Sequence, residues 1–468
     1  MGAHFDRSLL AMASLGRAPA NEISLPVSPT RGPNYIPAAA RNSVSGYRMH
    51  ERDLIYDWNA VSPAFNWAEC RVDLNDETLR DGLQCPSVIN PPVEDKLRLL
   101  HLMVDLGIQS ADIGLPGAGT RAYADTLAVA REIADQKLPL AADCAARTVV
   151  ADIEPIARIS QETGIPLEVA AFIGSSPIRQ YAEDWTLDKM LRATEEAIKF
   201  CVSEGLPVFF VTEDTTRASP DVLTALYTNA IRWGARRLCI ADTVGHATPG
   251  GVRALVRFVK DSIIAPSGER VLVDWHGHRD RGLGLANCLA AIEAGVDRVH
   301  GTAMGIGERV GNAEMDLLLI NLSMLGVHQH DLSKLPEYVG LASRCTGIPI
   351  SASYPVMGED AFRTATGVHA AAIIKARKKG HSWLADRVYS AVPAGDFGLG
   401  QTIEVGPSSG LSNVRCWLEE HGYEAADAAM CQHILQAAKA SDHTLSDDEL
   451  VGLITASSRP AGEPRVGA

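Results

Sequence analysis

Between Arg71 and Gly326 short apolar runs alternate with helical stretches eight times, and no other feature of the chain restricts its fold as strongly. The apolar runs are Val72–Leu79, Ser110–Ile113, Leu138–Ala142, Leu167–Phe172, Val208–Thr212, Leu238–Ala241, Val271–Trp275 and Arg298–Gly301. Between them lie amphipathic patterns such as VEDKLRLLHLMVDLG and LDKMLRATEEAIKFCVSEG, many of them closed by the glycine that ends a helix. Eight strand-helix units in roughly 250 residues match a (β/α)8 TIM barrel. A doubly wound open sheet is the alternative, but no G-x-G-x-x-G follows the first strand. Residues 71–326 are therefore expected to form the barrel. Residues 1–70, rich in Pro, Ser, Asn and Ala, read as an extended arm. Residues 327–456 read as a small helical C-terminal subdomain with a glycine-rich linker at Pro393–Gly410, and residues 457–468 as a disordered tail. Neither the arm nor the post-barrel segment is expected to make a core of its own.

Composition excludes several classes of function. Forty-three basic against 57 acidic residues give a net charge of -14, which disfavours binding to a phosphate backbone. Nucleic acid is not an expected partner. The nine cysteines are scattered singly with no C-x-x-C pair, as expected of reduced thiols in the cytoplasm. No segment approaches the roughly 18 unbroken apolar residues that span a bilayer, so no membrane partner is expected.

In a barrel, chemistry sits at the carboxyl ends of the strands. Strand seven ends in His276-Gly277-His278, and side chains two apart on a strand point the same way, so both imidazoles aim at one point. Strand one ends Asp76-Glu77-Thr78-Leu79-Arg80-Asp81, setting a cation beside a carboxylate. Strand five ends in Glu213-Asp214-Thr215-Thr216-Arg217, strand six in Asp242-Thr243, and strand eight runs into Gly305–Asn312. Strand eight of a closed barrel lies between strands seven and one. Asp81, His276, His278 and a group from the Gly305–Asn312 loop can then converge, leaving positions for substrate and water as a catalytic metal requires. The donor set suits Mg²⁺, Mn²⁺, Co²⁺ or Zn²⁺.

Seven motifs, DETLRDGLQ (Asp76–Gln84), EDTTR (Glu213–Arg217), DTVGHATP (Asp242–Pro249), HGHRDRGLGLAN (His276–Asn287), GTAMGIGERVGN (Gly301–Asn312), GEDAFRTATGVH (Gly358–His369) and VPAGDFGLGQTIEVGPSSG (Val392–Gly410), follow in one order over most of the chain. In this the chain resembles the α-isopropylmalate synthase and homocitrate synthase family, within the metal-dependent barrel enzymes that include 3-hydroxy-3-methylglutaryl-CoA lyase. The resemblance implies that Asp81, His276 and His278 ligate a divalent metal with Asn312 close to it. It implies that Arg80 engages the 2-oxo group of an acceptor acid, that Gln84 and Thr243 bind substrate, and that Glu213 and His369 are acid/base partners. The implied reaction is a Claisen condensation of acetyl-CoA with a 2-oxo acid. It also implies a homodimer in which His369 reaches the partner's site.

The chain departs from the family pattern at Leu83, Asp112, Arg279 and Pro407-Ser408-Ser409-Gly410, none of which is a metal ligand. Leu83 is the residue typical of the lyases, whose retro-Claisen cleavage is the alternative activity, but the Gly305–Asn312 loop lacks the lyase cysteine. Two histidines and an aspartate also serve non-haem iron oxygenases, from which the strand-helix alternation separates this chain. A non-catalytic 2-oxo acid sensor would not need the full set of polar residues. His246 reads as a polar loop residue, His300 as a satisfied core histidine and His101 as a helix-face residue, while Gly395, Gly398, Gly400 and Gly406 could form a lid around acetyl-CoA. Leu411–Ala468 has room for two or three helices, so no separate regulatory domain is expected and feedback inhibition would act at the barrel mouth.

Overall fold

A computed structural model describes residues 54–61, 65–425 and 427–457; most of the N-terminal arm and the tail lie outside the described residues. Residues 54–61 carry one short turn, Trp58–Ala60, capped by the Asp57 side chain. From Phe65 onward the eight strands close into a parallel barrel in chain order. They are β1 (Asp73–Asp76), β2 (Ser110–Asp112), β3 (Ala141–Arg147), β4 (Leu167–Gly174), β5 (Val208–Glu213), β6 (Arg237–Asp242), β7 (Leu272–Gly277) and β8 (Arg298–Gly301). The helices α1 (Val93–Asp105), α2 (Thr120–Gln136), α3 (Val150–Thr163), α4 (Pro177–Ala182), α5 (Leu187–Ser203), α6 (Pro220–Trp233), α7 (Pro249–Phe258), short α8 (Ala265–Ser267), α9 (Gly284–Glu293), α10 (Met315–Met324) and α11 (Leu335–Thr346) follow them. Ser176, Thr186 and Thr248 cap α4, α5 and α7 by accepting from backbone N–H groups of the first turn, and Gly164 and Gly347 end α3 and α11 in the left-handed region.

Strand alternation divides the barrel into two cores. Val169, Ala171, Ile173, Phe210, Leu238, Ile240, Val273 and Trp275 face the helices and belong to the large outer core. The residues between them face inward, where Ala145, Ala170, Phe209 and Cys239 form a separate small cluster. The lower part of the interior is ionic. Arg298 donates to Asp274 at 2.6 Å and to Glu168 at 3.2 Å, and Arg237 donates to the same two carboxylates at 3.2 Å (Glu168) and 2.7 Å (Asp274). Four side chains thereby satisfy one another, Asp274 and Arg298 buried and Glu168 and Arg237 partly buried.

Two boundaries differ from expectation. Strand three was expected at Leu138–Ala142, but Lys137 turns left-handed to end α2, and the strand begins at Ala141. Its sequence, AADCAAR, has no β-branched residue to mark it as a strand. Strand one stops at Asp76, because the N–H groups of Arg80 and Gly82 bond back to the Glu77 carbonyl at 3.1 and 3.0 Å and curl the chain into a turn.

The post-barrel segment also makes a core, contrary to expectation. Helices α12 (Gly367–Lys378) and α13 (Ser382–Arg387) pack together, and Arg363–Thr364 pairs with Thr402–Ile403 inside the expected linker. Helices α14 (Leu411–Glu420), α15 (Ala428–Ala440) and α16 (Asp447–Ser457) then enclose Val414, Trp417, Leu418, Ile434, Leu435 and Leu450. Trp417 supplies the bulk that this short segment otherwise lacks, and its indole N–H donates to Asp447 at 2.9 Å. The Pro407–Gly410 departure is a structural turn: Ser409 Oγ accepts from the Gly406 N–H at 2.9 Å and donates to the Ala365 carbonyl at 2.7 Å. Among the described residues no helix is long and apolar enough to cross a membrane.

Candidate active site

The carboxyl ends of β1, β7 and β8 bring Asp81, His276 and His278 together. Asp81 stands in the turn after β1, His276 at the end of β7 and His278 two residues on. Asp81 Oδ2 lies 3.5 Å from Nε2 of each histidine, and one ligand atom from each of the three lies within 4.8 Å of the others. Burial, followed by the neighbouring His276, lowers His278 to a pKa of about 4, so its imidazole is neutral at pH 7, as a ligand must be. His278 is bridged to Asn312, whose side-chain N–H donates to the Ile306 carbonyl at 3.2 Å and whose Oδ1 is buried without a hydrogen-bond partner. The Asp81 carboxyl group, two histidine rings and an orphaned amide oxygen fit one divalent cation.

The loop carrying Asn312 needs its glycines. A Cβ on Gly311 would stand 1.8 Å from the Gly305 carbonyl oxygen, and one on Gly307 would stand 2.2 Å from Asn312 Nδ2. Arg279, a departure from the family pattern, clamps this loop: its Nε donates to the Val310 carbonyl at 2.8 Å, and its guanidinium pairs with Glu314.

Three residues not assigned from sequence hold the triad in place. Glu77 Oε2 lies 2.9 Å from His276 Nδ1, a contact that leaves His276 Nε2 facing Asp81. Its other oxygen bonds His300 Nδ1 at 2.8 Å, and His300 Nε2 bonds Asp274 at 3.1 Å. Burial alone would depress the His300 pKa, but the flanking Glu77 and Asp274 raise it to about 9, so the ring is an imidazolium between two carboxylates. Burial would raise Glu77, but His276, Arg80 and His300 hold it well below the usual carboxylate range. A hydrogen-bonded chain therefore runs from the ionic lower interior through Asp274 and His300 to Glu77, which touches His276. His300 is the satisfied core histidine expected of it.

Arg80 is fixed beside the triad, donating from Nε to Asp112 at 2.6 Å with Nη2 3.0 Å from Glu77, and Nη1 lies 3.8 Å from Asp81. A cavity of about 380 Å³ opens over these groups. Gln84, Glu213 and Thr243 also line it. Burial raises the Glu213 carboxyl above the ordinary range, opposed by Arg179 and Arg80. Asp214, left-handed at φ 58°, re-aims the chain just after Glu213 and is held by two 2.7 Å bonds from Arg217. Its N–H donates to Thr243 Oγ1 at 2.8 Å, which leaves the Thr243 hydroxyl proton for another acceptor.

His369 is not brought to this cavity. It lies exposed on α12 and stacks on Tyr389 with ring centroids 4.0 Å apart. The four glycines of the Val392–Gly410 stretch do not line the cavity either; Gly398 packs on Ser333 and Gly406 on Thr444. His246 is exposed and outside the site, and His101 pairs with Glu132 at 2.7 Å.

A closed parallel barrel with a two-histidine, one-aspartate cluster at its mouth defines a class of metal-site barrel proteins. The HMGL-like family model matches residues 71–340. A probable 2-isopropylmalate synthase of Methanopyrus kandleri is 31% identical over 80% of this chain and 70% of its own length. A homocitrate synthase of the same organism is 31% identical over 81% of this chain and 91% of its own, and the 2-isopropylmalate synthase of Saccharolobus solfataricus is 29% identical over 76% and 88%. Among solved structures, the Bacillus subtilis HMG-CoA lyase superposes with a TM-score of 0.51 at 20% identity, covering 60% of this chain and 95% of that one, a likeness of fold. The chain belongs to the HMGL-like family and, within it, to the 2-isopropylmalate and homocitrate synthases, enzymes that are acyltransferases.

Proposed function

We propose that this enzyme condenses acetyl-CoA with a 2-oxo acid in a divalent-metal-dependent Claisen reaction, after which water hydrolyses the thioester of the adduct to release CoA and a 2-alkylmalate-type product. The observation that carries this reading is Asp81, His276 and His278 converging beside a fixed Arg80 at the floor of one cavity. A divalent ion held by these three residues, with Asn312 near it, would polarise the acceptor's carbonyl when bound. Arg80, pinned by Asp112 and Glu77, is oriented to take up negative charge as the acceptor carbonyl becomes an alkoxide. Thr243 offers its hydroxyl proton, and Gln84 its amide, to the acceptor's carboxylate. Glu213 faces the cavity from β5 with its proton affinity raised by burial, as suits a residue that exchanges a proton with the acetyl methyl group. His369, exposed and outside its own chain's cavity, is free to reach the site of a second copy, which supports a homodimer with sites completed in trans. All nine cysteines are free thiols, in keeping with a cytoplasmic enzyme.

Thiol release from acetyl-CoA with a panel of 2-oxo acids tests this directly. Release should require a 2-oxo acid, stop on chelation and return with Mg²⁺, Mn²⁺, Co²⁺ or Zn²⁺. Release independent of any 2-oxo acid, or none under all these conditions, overturns it.

A further inference from the structure

We infer that the acceptor is a 2-oxo acid whose side chain is apolar and larger than isopropyl, seated in the β3–β6 half of the barrel; this rests on the condensation reading above. The charged groups of the cavity floor come from β1, β7 and β8. The opposite wall is Ala145, Ala170, Phe172, Phe209, Val211 and Cys239, a cluster separate from the helix-facing core and lining the same cavity. An acceptor held at the triad by its oxo and carboxylate groups turns its side chain toward this wall, beside which Glu213 and Arg179 also line the cavity.

The wall discriminates against a second carboxylate. Among the described residues, the other arginines on the cavity each face a carboxylate, and Arg179 keeps one buried Nε without a hydrogen-bond partner. Arg179 lies 3.7 Å from both Glu183 and Glu213, while Arg309 binds Asp280 at 2.8 Å and the Thr243 carbonyl. A distal carboxylate, as in 2-oxoglutarate, would lose its water against alanine, cysteine and phenylalanine, and would gain a cation only by drawing Arg179 away from Glu183 and Glu213.

The wall also has depth. It is lined at two levels, Val211 above Phe209 on β5 and Phe172 above Ala170 on β4, and two residues along a strand span about 6.6 Å. Alanine at 145 and 170 keeps that space open. A methyl or isopropyl side chain would leave part of it without contacts, whereas a longer branched or aromatic side chain would fill it. Each additional CH₂ buried there should raise kcat/KM about fourfold.

The test is thiol release by the full-length enzyme with pyruvate, 2-oxoisovalerate, 4-methyl-2-oxopentanoate, phenylpyruvate and 2-oxoglutarate. The expected order has 4-methyl-2-oxopentanoate or phenylpyruvate first, pyruvate at least about 10-fold lower, and 2-oxoglutarate about 100-fold or more below the best. In Ala170→Leu the ratio of phenylpyruvate to pyruvate kcat/KM should fall about 100-fold, because the added carbons occupy the deep level. If Ala170→Leu does not fold by circular dichroism, Ala145→Val should move the same ratio in the same direction by a smaller factor. A preference for 2-oxoglutarate, pyruvate or 2-oxoisovalerate, or a ratio that neither variant moves, overturns the inference and leaves the condensation reading standing. Failure of every 2-oxo acid to drive release overturns both.

Discussion

The two halves of the barrel interior are built from the same strand geometry and opposite chemistry. The inward positions of β1, β2, β7 and β8 carry Glu77, Asp112, Asp274, His276, Arg298 and His300, of which Arg298, Asp274, His300 and Glu77 are linked in turn by hydrogen bonds of 2.6 to 3.1 Å that end beside His276 at the mouth. The upper inward positions of β3 to β6 carry alanine, phenylalanine, valine and cysteine up to Glu213 at the rim of β5. The ionic half gains precision, because each side chain is oriented by a charged neighbour and cannot turn without stranding a buried charge. The apolar half gains adjustability, because volume there changes without breaking a network. Phe209 forms the seam: the Arg298 guanidinium stacks 5.0 Å from its ring centroid, and the His300 ring meets it edge-on at 5.7 Å.

Breaking the ionic half at its tip should have the largest effect. His278→Ala should lower kcat/KM by about a thousandfold or more and weaken Mn²⁺ or Zn²⁺ binding in calorimetry, with an unchanged circular dichroism spectrum. The fold should tolerate it, because His278 Nδ1 makes no hydrogen bond. Retention of activity within tenfold would remove His278 from the site. Next is Arg298→Met in the lower interior, which leaves Arg237 as the one arginine shared by Asp274 and Glu168 and takes the nearest cation from Asp143. Urea unfolding should show a loss of about 3–5 kcal/mol. A loss under 1 kcal/mol, on the order of a surface pair, would mean that the network is not the rigid support described.

Glu77→Gln isolates the link between support and triad. The amide keeps the shape of the side chain but not the charge that faces His276, His300 and Arg80. Metal affinity should fall about 10–100-fold, the usual effect of removing a group that orients a ligating histidine. At saturating metal kcat should recover most of its value. An unchanged metal affinity would reduce Glu77 to a charge partner of Arg80.

The contrast between the halves also explains what could be read from sequence. The convergence of Asp81, His276 and His278 was legible because chain order in a closed barrel sets β8 between β7 and β1, and the strand-helix alternation announced the barrel. Asp274 stands two residues before His276 and therefore on its face, a signal that strand periodicity alone could have exposed. Glu77 sits inside the DETLRDG motif, but its bonds to His276 and His300 depend on the β1–β8 register. The apolar wall was hidden for another reason. Parallel strands buried on both faces read as unbroken apolar runs, so in VFFV nothing distinguishes inward Phe209 from outward Phe210. The core around Trp417 was missed because three short helices separated by polar turns offer little periodicity.

The smallest expected effect is a gain. Asp143, on β3 two residues below Ala145, lies at the boundary between the halves. Both of its carboxylate oxygens are buried without a hydrogen-bond partner, and the Arg298 guanidinium is 3.9 Å away, too far to bond. Burial, reinforced by Asp112 and only partly opposed by Arg298, pushes its pKa well above the ordinary aspartate value. A carboxyl that binds its proton more tightly when folded contributes stability that is full below its unfolded pKa of about 3.9 and is lost as pH rises through the folded value. Asp143→Asn removes this dependence while keeping the shape. The variant should match the parent near pH 4 and exceed it at pH 8 by at least about 1 kcal/mol, since each unit of raised pKa is worth about 1.4 kcal/mol, with a urea midpoint shifted accordingly. A variant less stable than the parent at pH 8 would mean that Asp143 is ionised and holds Arg298, which would extend the ionic half across β3 to the foot of the apolar wall.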